Sequence, residues 1–164
     1  MEAQDLTIKI YLTNLAKYNA GRLVGKWVEL PADDLENHLK EILGNDEEYF
    51  ITDYEAPFEI DEYENIIKLN EFVEEFENLE DHEKKIVCYL IDIGYKREEA
   101  LESHEDVIFY ENMTMKDLAY DRVDSGFYGD INPNLERFID YDAIAREMDT
   151  EGYVETDDGI FLTQ

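Results

Sequence analysis

Negative charge runs through every part of this chain, so any fold it adopts must carry that charge on its surface. Residues 1–60 hold 13 acidic and 5 basic side chains, residues 61–103 hold 14 and 5, and residues 104–164 hold 16 and 4. The formal net charge of the 164 residues is -29. An acidic tail would put the excess at one end. A disordered acidic chain would lack large apolar groups, whereas this one has 12 Tyr, 8 Phe and 44% hydrophobic residues. Together these describe a folded protein with an acidic surface along its length.

Such a surface works against folding. Like charges three or four apart on a helix destabilise it by roughly 0.2–0.5 kcal/mol per pair. Solubility needs a net charge of only about 2–8 in a small domain. A compact chain of this size is about 40 Å across, and a duplex of that length carries roughly 23 phosphate charges. The chain thus matches B-DNA in charge for its size. The surplus points to a basic partner, with a high-salt habitat as the competing explanation. Direct nucleic-acid binding is disfavoured, because phosphate contacts need Lys or Arg and only 14 are present. An anionic membrane would repel the chain. Cys88 is the only cysteine, so no internal disulfide forms, as suits a reducing cytoplasm. No signal-peptide run and no 18-residue apolar stretch is visible, and the expected location is cytoplasmic.

Periodicity predicts an α+β fold in three parts. Residues 1–60 read as a small sheet-and-helix domain. Its strands lie at 6–12, 23–30 and 49–54, with Asn14 to Gly21 a loop and a helix from Pro31 to Gly44. Residues 61–103 read as a helical middle. There Ile66, Leu69, Phe72, Val73, Phe76 and Leu79 form an apolar stripe, and Glu64, Glu71, Glu74 and Glu75 fall opposite. A second helix follows Asp81, and a short third bears Glu98, Glu99 and Glu102. Residues 104–164 read as a mixed domain. It has a strand at Val107–Tyr110, a Thr114-capped helix through Val123 with Asp117 and Asp121 on it and Asp124 just beyond, and helical stretches after Pro133 and from Tyr141. A hairpin turning at Asp157-Asp158-Gly159 closes the chain.

No constellation of catalytic residues emerges. Pairs such as Asp33-Asp34 and Asp157-Asp158 arise by chance at this acid content and read as solvated charge. His38, His82 and His104 lack zinc-ligand spacing, and no stretch has calcium-loop spacing. Cys88 sits among apolar residues and reads as a packing group. Phosphate-binding, dinucleotide and nucleophile-elbow motifs are missing. The expectation is no enzyme, no cofactor and no metal.

The opening Ile10-Tyr11-Leu12-Thr13-Asn14-Leu15-Ala16-Lys17-Tyr18-Asn19, with Gly21, Leu23-Val24-Gly25 and Trp27, closely resembles the ArdA antirestriction proteins. Asp53-Tyr54-Glu55-Ala56-Pro57-Phe58 is similar to the family's next landmark. Tyr141, Asp142, Ala143, Ala145, Arg146 and Asp149, then Gly159-Ile160-Phe161, resemble its closing part. The resemblance implies an elongated, three-part molecule of mobile elements that dimerises and imitates bent duplex DNA, with carboxylates in place of phosphates. It implies inhibition of Type I restriction-modification enzymes at the methyltransferase core. It also identifies Ser125 to Ile131, containing Gly126, Phe127, Tyr128 and Gly129, as similar to the family's antirestriction segment.

The expected partner-binding surface is therefore Glu64, Glu71, Glu74, Glu75, Glu98, Glu99, Glu102, Asp117, Asp121 and Asp124. Dimerisation follows from the resemblance, with Val107, Ile108, Phe109 and Tyr110 the expected contact. Three alternatives remain open on charge alone. They are an acidic inhibitor of another DNA-binding protein (a repressor, nucleoid protein or CRISPR effector), a carboxylate-based metalloenzyme and a halophilic housekeeping protein.

Overall fold

The computed structural model describes residues 7–163; Leu6, at the expected start of the first strand, lies outside them. The chain is α+β and divides into two compact units. One extends through Glu80 and takes in Cys88–Leu101, and the other comprises Asp81–Val87 and the chain from Glu102 onward.

In the first unit, β1 (Ile8–Asn14) is the central strand of an antiparallel sheet, between β2 (Gly25–Leu30) and β3 (Tyr49–Glu55). The alternation Ile8, Ile10, Leu12 puts three fully buried side chains on one face, as the two-residue period of a strand dictates. Register pairs Ile8 with Leu30 and Ile10 with Val28, so buried rows align across the strands.

The expected loop after β1 contains a short helix, α1 (Leu15–Asn19). Asn14 makes it possible. Its side-chain oxygen accepts from the Lys17 N–H, while its amide donates to the Ile42 carbonyl at 3.1 Å and to Asp46 Oδ2 at 2.9 Å. A buried amide satisfied at both ends is stable where an unsatisfied one is costly.

Helix α2 (Leu35–Leu43) starts later than the Pro31 signal suggests. The Ala32 N–H and carbonyl both bond the Asn70 side chain, at 2.8 and 3.0 Å, which holds that backbone out of a helix. Gly44 ends α2 as expected. Helix α3 (Ile66–Glu77) is capped by Asn65, whose side chain accepts from the Ile67 and Lys68 N–H groups. It buries Ile66, Leu69, Phe72, Val73 and Phe76. Phe58 meets Phe72 and Phe76 edge-on at 5.4 and 6.0 Å, a favoured aromatic geometry.

Two further helices are α4 (Asp81–Asp92), whose residues through Val87 belong to the second unit, and α5 (Arg97–Ser103). Cys88 is half-buried rather than fully packed away. The sheet of the second unit has β6 (Gly159–Thr163) between β4 (Val107–Glu111) and β5 (Tyr153–Thr156). The hairpin of β5 and β6 forms as read. Against them stand α6 (Met115–Asp124) and α7 (Tyr141–Thr150), around a core of Met115, Leu118, Ala119, Met148 and Ile160. The stretch after Pro133 is a 3-10 turn, Pro133–Phe138.

Candidate functional site

The buried stripes of the helices leave their opposite faces to carboxylates. On α6, Met115, Leu118, Ala119 and Arg122 point inward. Asp117, Asp121 and Asp124, four and three residues apart, are exposed on the other side. At about 1.5 Å rise per residue those three charges span roughly 10 Å of helix axis. Three phosphates on one strand of a duplex span roughly 7 Å of its axis. On α3, Glu71, Glu74 and Glu75 are exposed opposite the buried stripe. On α5, Glu98, Glu99 and Glu102 are exposed.

These acids differ in what else they do. The side chains of Glu71, Glu74, Glu75, Glu98, Glu102, Asp121 and Asp124 enter no hydrogen bond or ion pair among the described residues. Glu99 accepts from the Lys96 N–H at 3.1 Å. Asp117 closes a capping box, accepting from the Thr114 N–H at 2.9 Å while the Thr114 hydroxyl accepts from the Asp117 N–H at 3.1 Å. Bonds to the Thr114 backbone and hydroxyl hold its carboxyl below the usual Asp range. The cap is therefore intact at neutral pH and is lost only as pH falls through that lowered value.

Glu64 departs from the expected ridge. It precedes the Asn65 cap, so it lies outside α3, and it is half-buried. Its Oε1 lies 2.6 Å from Arg97, whose guanidinium also donates to the Glu59 carbonyl and sits over the Phe58 ring. Sequence periodicity places Glu64 at the right angle, but the helix starts two residues too late to carry it.

Several cations are turned to internal work. Lys85 bonds Glu111 at 2.9 Å, and that carboxylate raises the lysine's pKa against the opposing effect of burial. Arg122 is buried, with 8% of its surface exposed. It donates to Glu151 at 2.9 Å and to the Tyr153 hydroxyl at 3.0 Å. Burial disfavours its charge, but the bonds to Glu151, Tyr128 and Tyr153 more than offset this and leave its pKa raised.

The segment after α6 is exposed throughout Gly126–Asp130, with Phe127 at 64%. Val107, Phe109 and Tyr110 of β4 are half-buried, and Ile108 is exposed. Among the described residues β4 is an edge strand, paired on one side by β6. A cleft of about 590 Å³ near β2 is lined by Trp27 together with Glu29, Asp33, Asp34 and Glu77, a further acidic surface. No group of three or more His, Cys, Asp or Glu side chains converges to hold a metal ion among the described residues.

A family model described as Antirestriction protein (ArdA) matches residues 10–162. The chain belongs to the ArdA antirestriction family. Among curated proteins no significant match accompanies it. ArdA membership makes restriction enzymes the class of partner of this chain. No helix among the described residues is long and apolar enough to cross a membrane.

In this ArdA chain the residue that periodicity misses is Arg122. By hydrophobic pattern Met115, Leu118 and Ala119 lead on to Val123, yet Val123 is half-buried while Arg122 is buried. The signal was present, since Arg122 lies seven residues after Met115 and so completes an i, i+3, i+4, i+7 face. Its charge hides that signal from any hydrophobic pattern.

Proposed function

We propose that the protein inhibits Type I restriction-modification enzymes in the cytoplasm by occupying their DNA-binding groove, with rigidly mounted carboxylates standing in for phosphates. The observation that carries this reading is the pair of exposed acid faces on α3 and α6, each backed by a packed stripe, on which Glu71, Glu74, Glu75, Asp121 and Asp124 enter no side-chain hydrogen bond or ion pair among the described residues. A groove built for a duplex offers Lys and Arg at backbone spacing, and much of its affinity comes from those contacts alone. Carboxylates fixed on helices lose less entropy on binding than those on a flexible tail. The long-range field speeds encounter and makes it sensitive to salt. Glu98, Glu99, Glu102 and the capping Asp117 are further exposed carboxylates of this kind, whereas the charge of Glu64 is paired with Arg97. The Gly126–Gly129 segment takes the antirestriction role that the family resemblance gives it.

The test is competition between the protein and duplex DNA for a purified Type I methyltransferase. Displacement of DNA at physiological ionic strength is expected, weakening steeply as salt rises. A methyltransferase that keeps its DNA at every protein concentration would overturn the reading.

Two copies acting together cover a longer stretch of groove. Among the described residues no strand lies on the outer side of β4, and such an edge is a ready template for another chain. Val107, Ile108, Phe109 and Tyr110 lie on it and form the contact in this proposal. Ile108 is 36% exposed, so Ile108→Glu leaves the core intact while setting charges against each other across a two-fold contact. Sedimentation equilibrium is expected to shift from twice 19.4 kDa to 19.4 kDa. An unchanged dimer mass places the contact elsewhere.

A further inference from the structure

From Val123 through Asp140 no side chain is buried, and only Val123, Ile131 and Ile139 are even half-buried. A stretch of that length, with almost no core of its own, has little burial to offset the entropy of ordering it. Gly126 and Gly129 have φ of 82° and 88°, and nothing lies within 4 Å of where their Cβ atoms would be. Those glycines permit the turn, and their N–H groups close it locally on the Val123 and Gly126 carbonyls, at 3.2 and 2.9 Å.

What ties it to the packed part of the unit is Arg122. Its carbonyl accepts from the Phe127 N–H at 3.0 Å and from the Ser125 hydroxyl at 3.1 Å. Its guanidinium lies 4.5 Å from the centre of the Phe127 ring and reaches the Tyr128 hydroxyl at 3.5 Å. Phe127 and Tyr128 meet edge-on at 5.0 Å, so the two rings are fixed together. The other side of the fork is anchored on Glu151 and Tyr153, and the guanidinium also lies 5.1 Å from the Tyr153 ring centre. A planar guanidinium can donate in several directions and stack at the same time, which an ammonium cannot.

We propose that Arg122 is the positioning residue of the Gly126–Gly129 segment, locking Phe127 and Tyr128 from beneath so that the segment meets the restriction enzyme in one conformation. The functional half of this inference rests on the reading of that segment as the antirestriction element. The geometric half does not.

The experiment uses the full chain and its R122K variant, which keeps the charge and can keep Glu151 as partner. Amide exchange at Phe127 and Gly129 is expected to rise about tenfold or more, while Leu118 in α6 stays protected as in the parent. Parent-like exchange at Phe127 and Gly129 overturns the proposal. If R122K does not fold, Tyr128→Phe removes one acceptor from the other side, and faster exchange at Phe127 is again expected. Parent-like exchange there overturns the proposal too.

Inhibition of a purified Type I restriction enzyme on unmodified plasmid DNA supplies the second readout. The half-inhibitory concentration is expected to rise about tenfold in R122K and by a similar factor in F127A/Y128A, with less than about twofold added when the changes are combined. A full further loss in the combined variant means Arg122 acts on the unit as a whole, and the proposal fails. Parent-like inhibition by F127A/Y128A alone sinks the reading of the segment, while exchange still decides what holds it.

Discussion

Reversing Glu71, Glu74 and Glu75 together, as E71K/E74K/E75K, is expected to weaken inhibition of a Type I enzyme by about a hundredfold. Each reversal exchanges an attraction for a repulsion, worth about 1 kcal/mol for a partly exposed pair, and three give a factor near 10². Each alone is expected to stay within about fivefold. The slope of log affinity against log salt should become shallower by about 2–3, as for the loss of three phosphate-like contacts. The fold is not at risk, because all three side chains are exposed and unbonded. Glu64→Lys is a different experiment, since it sets two cations against each other beside Phe58. If any single neutral substitution abolishes inhibition as fully as the triple reversal, the distributed account is wrong.

A second large effect is expected from one methyl group. Gly159 opens β6 with φ of 140°, and a Cβ there would lie 2.2 Å from the Tyr110 carbonyl oxygen, 3.0 Å from the Asn112 N and 3.1 Å from the Glu111 Cα. All three neighbours are backbone atoms of β4 and the residue after it, so no side chain can swing aside. Gly159→Ala therefore has to part β4 from β6. It combines a backbone conformation reserved for glycine with overpacking, at about 3 kcal/mol or more. For a unit of this size that lowers the melting temperature by roughly 12–24 °C. Calorimetry reads the shift. Near-ultraviolet dichroism reads the loss of the Phe109–Phe161 stack, now at 4.3 Å between ring centres. A melting temperature within about 2 °C of the parent would show that the strands can absorb the methyl after all.

Strands and long helices were legible in the sequence because their apolar periods are uninterrupted. Ile8, Ile10 and Leu12 alternate without exception, and the α3 stripe repeats at helical spacing through Phe76. Element starts were less legible, because they depend on side-chain bonds from distant residues. Asn70 keeps Ala32 out of α2 from 38 positions away, and Asn65 sets the first turn of α3 beyond Glu64. The segment after α6 defeats pattern reading for a related reason. Its anchor is a charged residue in an apolar position, recognisable only once Glu151, Tyr128 and Tyr153 are seen around it. The acidic faces were legible as a property and less so residue by residue, since an exposed carboxylate has no neighbour to fix its place.

That last point bears on how such a protein can change. Where a ridge glutamate touches nothing inside the molecule, Asp can replace Glu, or the acid can move to an adjacent outward position, with no adjustment beneath. Gly159 and Arg122 allow no such drift, being wedged against fixed backbone or knotted to several partners. The outward wording of the chain is thus free to wander while its electrostatic silhouette persists, and only a few inward letters must stay as written.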